Sequence, residues 1–188
     1  MRLVSLAATP PQPWRNGGGT TRELLAWPSA GAWALRFSIA RIDRDGPFSA
    51  YPGVQRWFAV LSGAGVELIW ENHLAQLTPG SAPLAFDGAD GPQCRLLGGP
   101  TEDLNLMLRR DAGRGGLEAA RAGQAWVCTA AWRGVYTRTA CTLGTGSGEQ
   151  PLPAGTLAWT DHAGAAPWHL TSPEPLQAWW LHFEASPA

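Results

Sequence analysis

Lysine is missing from this chain of 188 residues, and all 14 of its basic residues are arginine. No Schiff-base lysine, phosphate-loop lysine or lysine general base can therefore operate here. The positive charge that remains is guanidinium, which suits bidentate recognition of carboxylates. Charge of either sign is sparse, at 15% of residues, and the formal net charge is −1. A nucleic-acid binder carries a basic excess or stripe, which this chain does not have. Cysteine is scarce too: Cys94, Cys128 and Cys141 show no CxxC spacing, so neither a disulfide framework nor a zinc knuckle is indicated. Long apolar runs are absent. The opening "MRLVSLAATPPQPW" is broken by prolines and is too short for the core of a signal peptide. No later run reaches the ~18 apolar residues of a membrane span. The expected home is a cytoplasm, with reduced thiols.

What the chain does have is glycine and proline, 23 and 16 residues, which leave little room for long helices. Its 45% hydrophobic share marks it as globular, with length for one good core or two small fused ones. The apolar pattern has mostly period two. In "AWALRFSIARI", Leu35, Phe37 and Ile39 alternate with Arg36, Ser38 and Ala40, as in a half-buried strand. "RWFAVLSGAGVELIW" reads as a hairpin. In "EDLNLMLRR", Leu104, Leu106 and Leu108 share one face while Asp103, Asn105 and Met107 share the other. "AWVCTAAW", "GVYTRTACTL" and "LQAWWLHFEA" supply further strands, and a short helix is expected near "GLEAARAG". Many short strands with frequent turns point to an all-β sandwich or barrel. A faint echo between residues 77–97 and 152–170 (Leu-x-x-Gly, then an aromatic, an Asp and a Pro) is compatible with two related β units in sequence.

The stretch "PWRNGGGTTREL" fits neither phosphate-binding nor dinucleotide-binding glycine patterns. It is either a plain loop feeding an edge strand or a place where the backbone at Gly17, Gly18 and Gly19 approaches a ligand closely. In the second case Asn16, Thr20, Thr21 and Glu23 would offer polar groups around it. Arg36 and Ser38 share a strand face, and Arg56 precedes "WFAVL". If that face is solvated the arginines are simply exposed; if it lines a lumen they are carboxylate clamps. His73, His162, His169 and His182 form no HxH or HxxxH pair, so a metal site is not indicated. No Gly-x-Ser-x-Gly elbow is present, and Glu23, Glu67, Glu102 and Asp103 remain open as acid–base groups.

Taken together, "WRNGGGTTREL", "WALRFSIARIDRDGPFSAYPGVQRWFAVLSGAGVEL" and "GPTEDLNLMLRR" closely resemble the signature blocks of the HutD/Ves family. The resemblance covers roughly residues 13–110 and implies a cupin-type β-barrel fold in a two-barrel (bicupin) arrangement. The units would then be residues 1–115 and a smaller one at 116–188. It also implies an association with bacterial histidine utilisation, where HutD-like proteins are thought to limit pathway expression through a small metabolite. Ves-like relatives are linked to stress and cold response. One departure matters: metal-dependent cupins carry an HxH pair, and the comparable "WENHLAQLTPG" has only His73.

The expectation is thus a non-enzymatic cupin that needs no cofactor and binds a small carboxylate metabolite, urocanate or N-formylglutamate. Arg36 or Arg56 would clamp the carboxylate. Asn16, Gly18, Gly19, Thr20, Glu23, Ser38 and Asn105 would complete the pocket. The alternatives are a metal-independent isomerase or hydrolase with Glu23 or Asp103 as base, and a stress-related scaffold that docks a protein partner. Nucleic acid and membrane are not expected partners, and a homodimer through an edge strand is compatible with the architecture.

Overall fold

The structure is a computed structural model, and it describes residues 1–186. Among these residues every regular element is a strand, so there is no helix long and apolar enough to cross a membrane. In chain order the strands are β1 (Arg2–Ser5), β2 (Gln12–Pro13), β3 (Gly19–Trp27), β4 (Leu35–Ile42), β5 (Gly46–Pro47) and β6 (Val54–Ser62). Next come β7 (Val66–Ile69), β8 (Leu74–Leu77), β9 (Leu84–Asp87), β10 (Gln93–Leu96), β11 (Thr101–Arg109) and β12 (Gly113–Ala119). The last are β13 (Trp132–Thr137), β14 (Cys141–Thr145), β15 (Gly148–Leu152), β16 (Thr156–Thr160), β17 (His169–Thr171) and β18 (Ala178–Ala185).

Two compact units emerge. Residues Thr9–Ala112 form one, and Met1–Ala8 joins the chain from Gly113 onward in the other. The Thr9–Ala112 unit has a six-stranded sheet in the order β2-β3-β4-β11-β6-β9 and a four-stranded sheet in the order β5-β10-β7-β8. Phe58 and Val60 of β6 cluster with Val66 and Leu68 of β7, Leu77 of β8 and Cys94 of β10. The face of β6 that carries these two side chains is therefore turned toward the four-stranded sheet. Register extends that inward face across the larger sheet, because antiparallel partners point the same way. Arg56 lies opposite Met107, which lies opposite Arg36; Phe58 lies opposite Asn105, which lies opposite Ser38.

The other unit has a five-stranded sheet, β1-β16-β13-β18-β12, and a three-stranded sheet, β15-β14-β17. Its core holds Val135 of β13 and Trp180 of β18 with Leu143, Leu152 and Leu170 of the smaller sheet, and Trp126 and Trp168. Trp126 stacks flat on Trp180 with ring centroids 4.8 Å apart, a large apolar contact for a small unit.

The helix expected at "GLEAARAG" is not there. Gly113–Ala119 is β12, paired residue for residue with β18 from Gly113 opposite Ala185 to Ala119 opposite Trp179. Alanine, glutamate and arginine favour a helix locally, but a ladder along β18 with Leu117 buried outweighs that weak preference.

Candidate functional site

Arg56 is the inward arginine of β6, and only 6% of its surface is exposed. Its Nε and Nη2 donate to Asn105 Oδ1 at 3.4 and 3.2 Å, and its Nη1 donates to the Ser49 carbonyl at 3.4 Å. Three of the five N–H donors are thus engaged, all in long contacts, so the guanidinium is loosely held. Three rings surround it: Phe86 at 5.0 Å, Phe48 at 5.2 Å and Tyr51 at 5.8 Å from Cζ to centroid. Each ring offers its electron-rich face to the cation. No carboxylate pairs with Arg56 among the described residues. Burial pushes its pKa down to about 10, while Tyr51 acts weakly in the other direction. A cation in that setting is electrostatically incomplete, and an anion of the right shape would complete it.

Arg36, the other inward arginine, is already paired. Its Nε donates to Glu23 Oε2 at 2.8 Å, its Nη2 reaches the same oxygen, and its guanidinium lies 5.4 Å from the Trp33 ring. The pairing depends on a bulge at Leu24. Glu23 lies opposite Ser38, whereas Leu25 lies opposite Phe37, so one extra residue re-aims the strand beside Arg36. Both partners remain about a quarter exposed, at 28% and 27%. Arg36 thus sits on the same face as Arg56 but with its charge neutralised.

Between and beyond the arginines the inward face stays polar. Ser38 is 8% exposed, and Asn105, opposite it, is half-buried. Asp103, two residues before Asn105 on β11, is fully buried; its Oδ2 accepts from Thr101 Oγ1 at 2.7 Å and its Oδ1 has no partner. Burial raises its pKa to about 7, Thr101 pulls it down, and the Glu102 charge raises it further. Cys94 faces the same interior, and burial followed by Asp103 and Asp45 pushes its thiol up to about 12. A carboxyl held half-protonated near neutrality can donate or accept a hydrogen bond.

The glycine run does a different job. Asn16 Oδ1 accepts from Gly18 N at 3.0 Å, and Gly18 O accepts from Asp43 N at 2.8 Å. The Gly17 carbonyl accepts from Arg44 Nη2 at 2.9 Å, and Gly17 itself has φ 67°. A Cβ on Gly19 would lie 2.1 Å from the Arg41 carbonyl oxygen. The close approach at Gly18 and Gly19 is therefore to the chain's own backbone beside β4. Asn16 is exposed and holds the turn. Thr20, opposite Arg41, is on the face away from Glu23; Thr21 shares the face of Glu23 and accepts from Trp14 Nε1 at 2.7 Å.

The structure brings together Glu23, Arg36, Ser38, Arg56 and Asn105 on one inward face, and leaves Asn16 and Thr20 away from it. It adds Phe48, Tyr51 and Phe86, which sequence reasoning missed. The aromatic pair in "GPFSAYPG" was the available signal, but nothing in a loop's sequence says which strand it covers. Tyr51 and Trp33 also line a cleft of about 500 Å³ with Val54, Arg109 and Asp111. No histidine lies on this inward face, so the donor set does not fit a histidine-held divalent metal. Among the described residues no group of three or more His, Cys, Asp or Glu is placed to hold a metal ion.

A HutD family model matches residues 7–177, which is most of the chain. The chain belongs to the HutD family. It is 33% identical over 144 residues to protein Ves of Citrobacter koseri, covering 71% of this chain and 75% of that protein. It is 37% identical over 110 residues to an uncharacterised 21.2 kDa protein of the hutC 3′ region in Pseudomonas putida. That match spans 57% of each chain. The solved structure of HutD from Pseudomonas fluorescens SBW25 superposes with a TM-score of 0.88 over 99% of both chains, at 26% identity. Oxalate decarboxylase of Bacillus subtilis shares the fold alone: TM-score 0.66, 10% identity, all of this chain and 78% of that one. The HutD-family chain is all-β and cupin-like.

Proposed function

We propose that this protein is a non-enzymatic, small-carboxylate-binding cupin that senses an intermediate of bacterial histidine utilisation. The observation that carries the reading is Arg56, a buried cation with no carboxylate partner, loosely held and ringed by Phe48, Tyr51 and Phe86. A carboxylate meeting that guanidinium gains a charge-assisted contact worth about 1.5–3 kcal/mol. Asn105 and Ser38 supply neutral donors and acceptors beside it, and the Arg36–Glu23 pair borders the same face. Urocanate, with a planar ring and one carboxylate, suits an aromatic cage; N-formylglutamate, with two carboxylates, makes more demand on cations. The names of the Pseudomonas fluorescens HutD and of the hutC-region protein support a role linked to histidine utilisation. The matching strand orders of the two units support a bicupin, and three free cysteines support a reducing cytoplasm.

The test is a thermal-shift titration with urocanate, N-formylglutamate, histidine, glutamate and formate. A ligand that binds only the native state adds about 2.7 kcal/mol at a hundredfold excess over Kd. A selective upward shift for one carboxylate, lost in Arg56→Met, is the expected result. A flat response to all five would sink the sensor reading.

A second reading rests on Asp103. A buried carboxyl with a pKa near 7 and one free oxygen has the poise of a general acid or base. An enzyme would turn over a pathway carboxylate, and Asp103→Asn would abolish that turnover while binding persisted.

A further inference from the structure

The chain from Gly113 onward repeats the arrangement around Arg56 with different residues. β6 lies between β11 and β9, and β13 lies between β18 and β16. On β6, Arg56 and Phe58 face inward; on β13, Arg133 and Val135 do so. Arg56 lies opposite Met107 and Phe86, whereas Arg133 lies opposite His182 and Thr160. Arg133 therefore holds the topological place of Arg56 in its own unit.

Its chemistry is more open than that of Arg56. Only 5% of Arg133 is exposed. Its Nη1 spends both protons on carbonyls, Cys128 O and Ala166 O, each at 3.1 Å. The Trp168 ring covers the guanidinium at 4.6 Å from Cζ. Nε is buried with no partner, and no carboxylate pairs with the group among the described residues. The edge without hydrogen-bond partners is the one formed by Nε and Nη2, the pair of parallel N–H vectors that matches the two oxygens of a carboxylate. Glycine stands where this edge comes near the backbone: a Cβ on Gly164 would lie 2.5 Å from Nη2. The flanking polar groups are Thr160 and His182, the latter half-buried and held toward its neutral form by burial.

We propose that Arg133 is the anchor of a second binding site, for a small planar monocarboxylate, in the Gly113-onward unit. The carboxylate engages Nε and Nη2 in a fork, Trp168 fixes the plane of the guanidinium, and the Cys128 and Ala166 carbonyls hold Nη1 back. One cation favours a single negative charge over a phosphate dianion, the more so because Glu118 and Glu184 act on His182 alongside. The site does not depend on Arg56 binding anything.

The experiment follows arginine Nε–H signals by NMR in the full chain while acetate, formate or inorganic phosphate is added. Each signal is assigned through its own side-chain carbons, so no variant is needed. The Arg133 Nε–H signal should move saturably with acetate and formate, and as much in Arg56→Lys as in wild type. Phosphate should bind at least about tenfold more weakly, and Gly164→Ala, which crowds Nη2 without removing charge, should weaken acetate by about tenfold. An Arg133 signal unmoved by both carboxylates overturns the proposal. So does a folded Gly164→Ala protein that binds acetate like wild type. The Arg56 signal, read in the same spectra, reports separately on the first site.

Discussion

A guanidinium removed from water without a counter-charge lowers stability, and Arg56 is held in that state by rings and neutral oxygens. Replacing it should therefore separate binding from folding. Arg56→Met fills similar space without the desolvation penalty, so its melting temperature should equal or exceed that of wild type. Carboxylate binding should fall by roughly 10- to 150-fold, the equivalent of about 1.5–3 kcal/mol. Calorimetric titration beside a thermal melt reads both quantities, and a variant that loses both together would assign Arg56 a structural role. Asp103 makes a prediction of opposite character. Its carboxyl, ordinarily near 3.8, is raised to about 7 in the folded chain. Between those values the native state keeps the proton that the unfolded chain releases, so this group's contribution falls as pH rises from about 4 to about 7. Asp103→Asn removes the effect. The variant should be more stable than wild type above pH 7, by on the order of 4 kcal/mol. That gap should close as the pH is lowered toward 4, and melts across the range that keep a constant gap would contradict it.

Strands carry the legibility of this fold, and they also mark its edge. The alternation of Leu35, Phe37 and Ile39 with Arg36 and Ser38 identifies β4, and the Leu104, Leu106, Leu108 series identifies β11. Period two says that two faces differ, but it is silent on which face is covered. Here both are: Leu35 and Phe37 are fully buried, and Ser38 and Arg56, on the polar face, are at most 8% exposed. The rings over Arg56 come from β9 and from the segment before β6, a meeting set by register and loop path that no local pattern encodes. The local pattern of "GLEAARAG" misleads for the related reason that its partner, β18, lies at least 60 residues downstream. The glycine run was legible as a close approach, while the approaching group was not. Gly19→Ala would drive a methyl into the Arg41 carbonyl, and should cost about 1–3 kcal/mol in denaturant unfolding. Carboxylate affinity should stay near the wild-type value, since the clash lies at a backbone contact away from Arg56. A large loss of affinity in a stable Gly19→Ala protein would return the loop to the binding site.

At the scale of the whole molecule, the chain's ends do not respect the order in which it is written. β1 is paired with β16, from Arg2 opposite Trp159 to Ser5 opposite Thr156, and Leu6 N donates to Gly155 O at 2.8 Å. Arg2 also lies over the Trp159 ring at 4.5 Å. Without β1, β16 becomes the sheet's edge and loses one row of hydrogen-bond partners. A chain shortened to begin at Thr9 should show faster amide exchange at Thr156–Thr160 than the full chain, and unchanged exchange there would contradict the pairing. The same strand has a consequence during synthesis. β1 leaves the ribosome about 150 residues before β16 exists, which is tens of seconds at the lower end of about 5–20 residues per second. For that interval the intervening Thr9–Ala112 segment can be made in full, while the short strand ahead of it waits unpaired. Closure of the sheet that β1 borders thus waits until β16 has been made, and the rate of that step is set by the return of a strand made early to a strand made late.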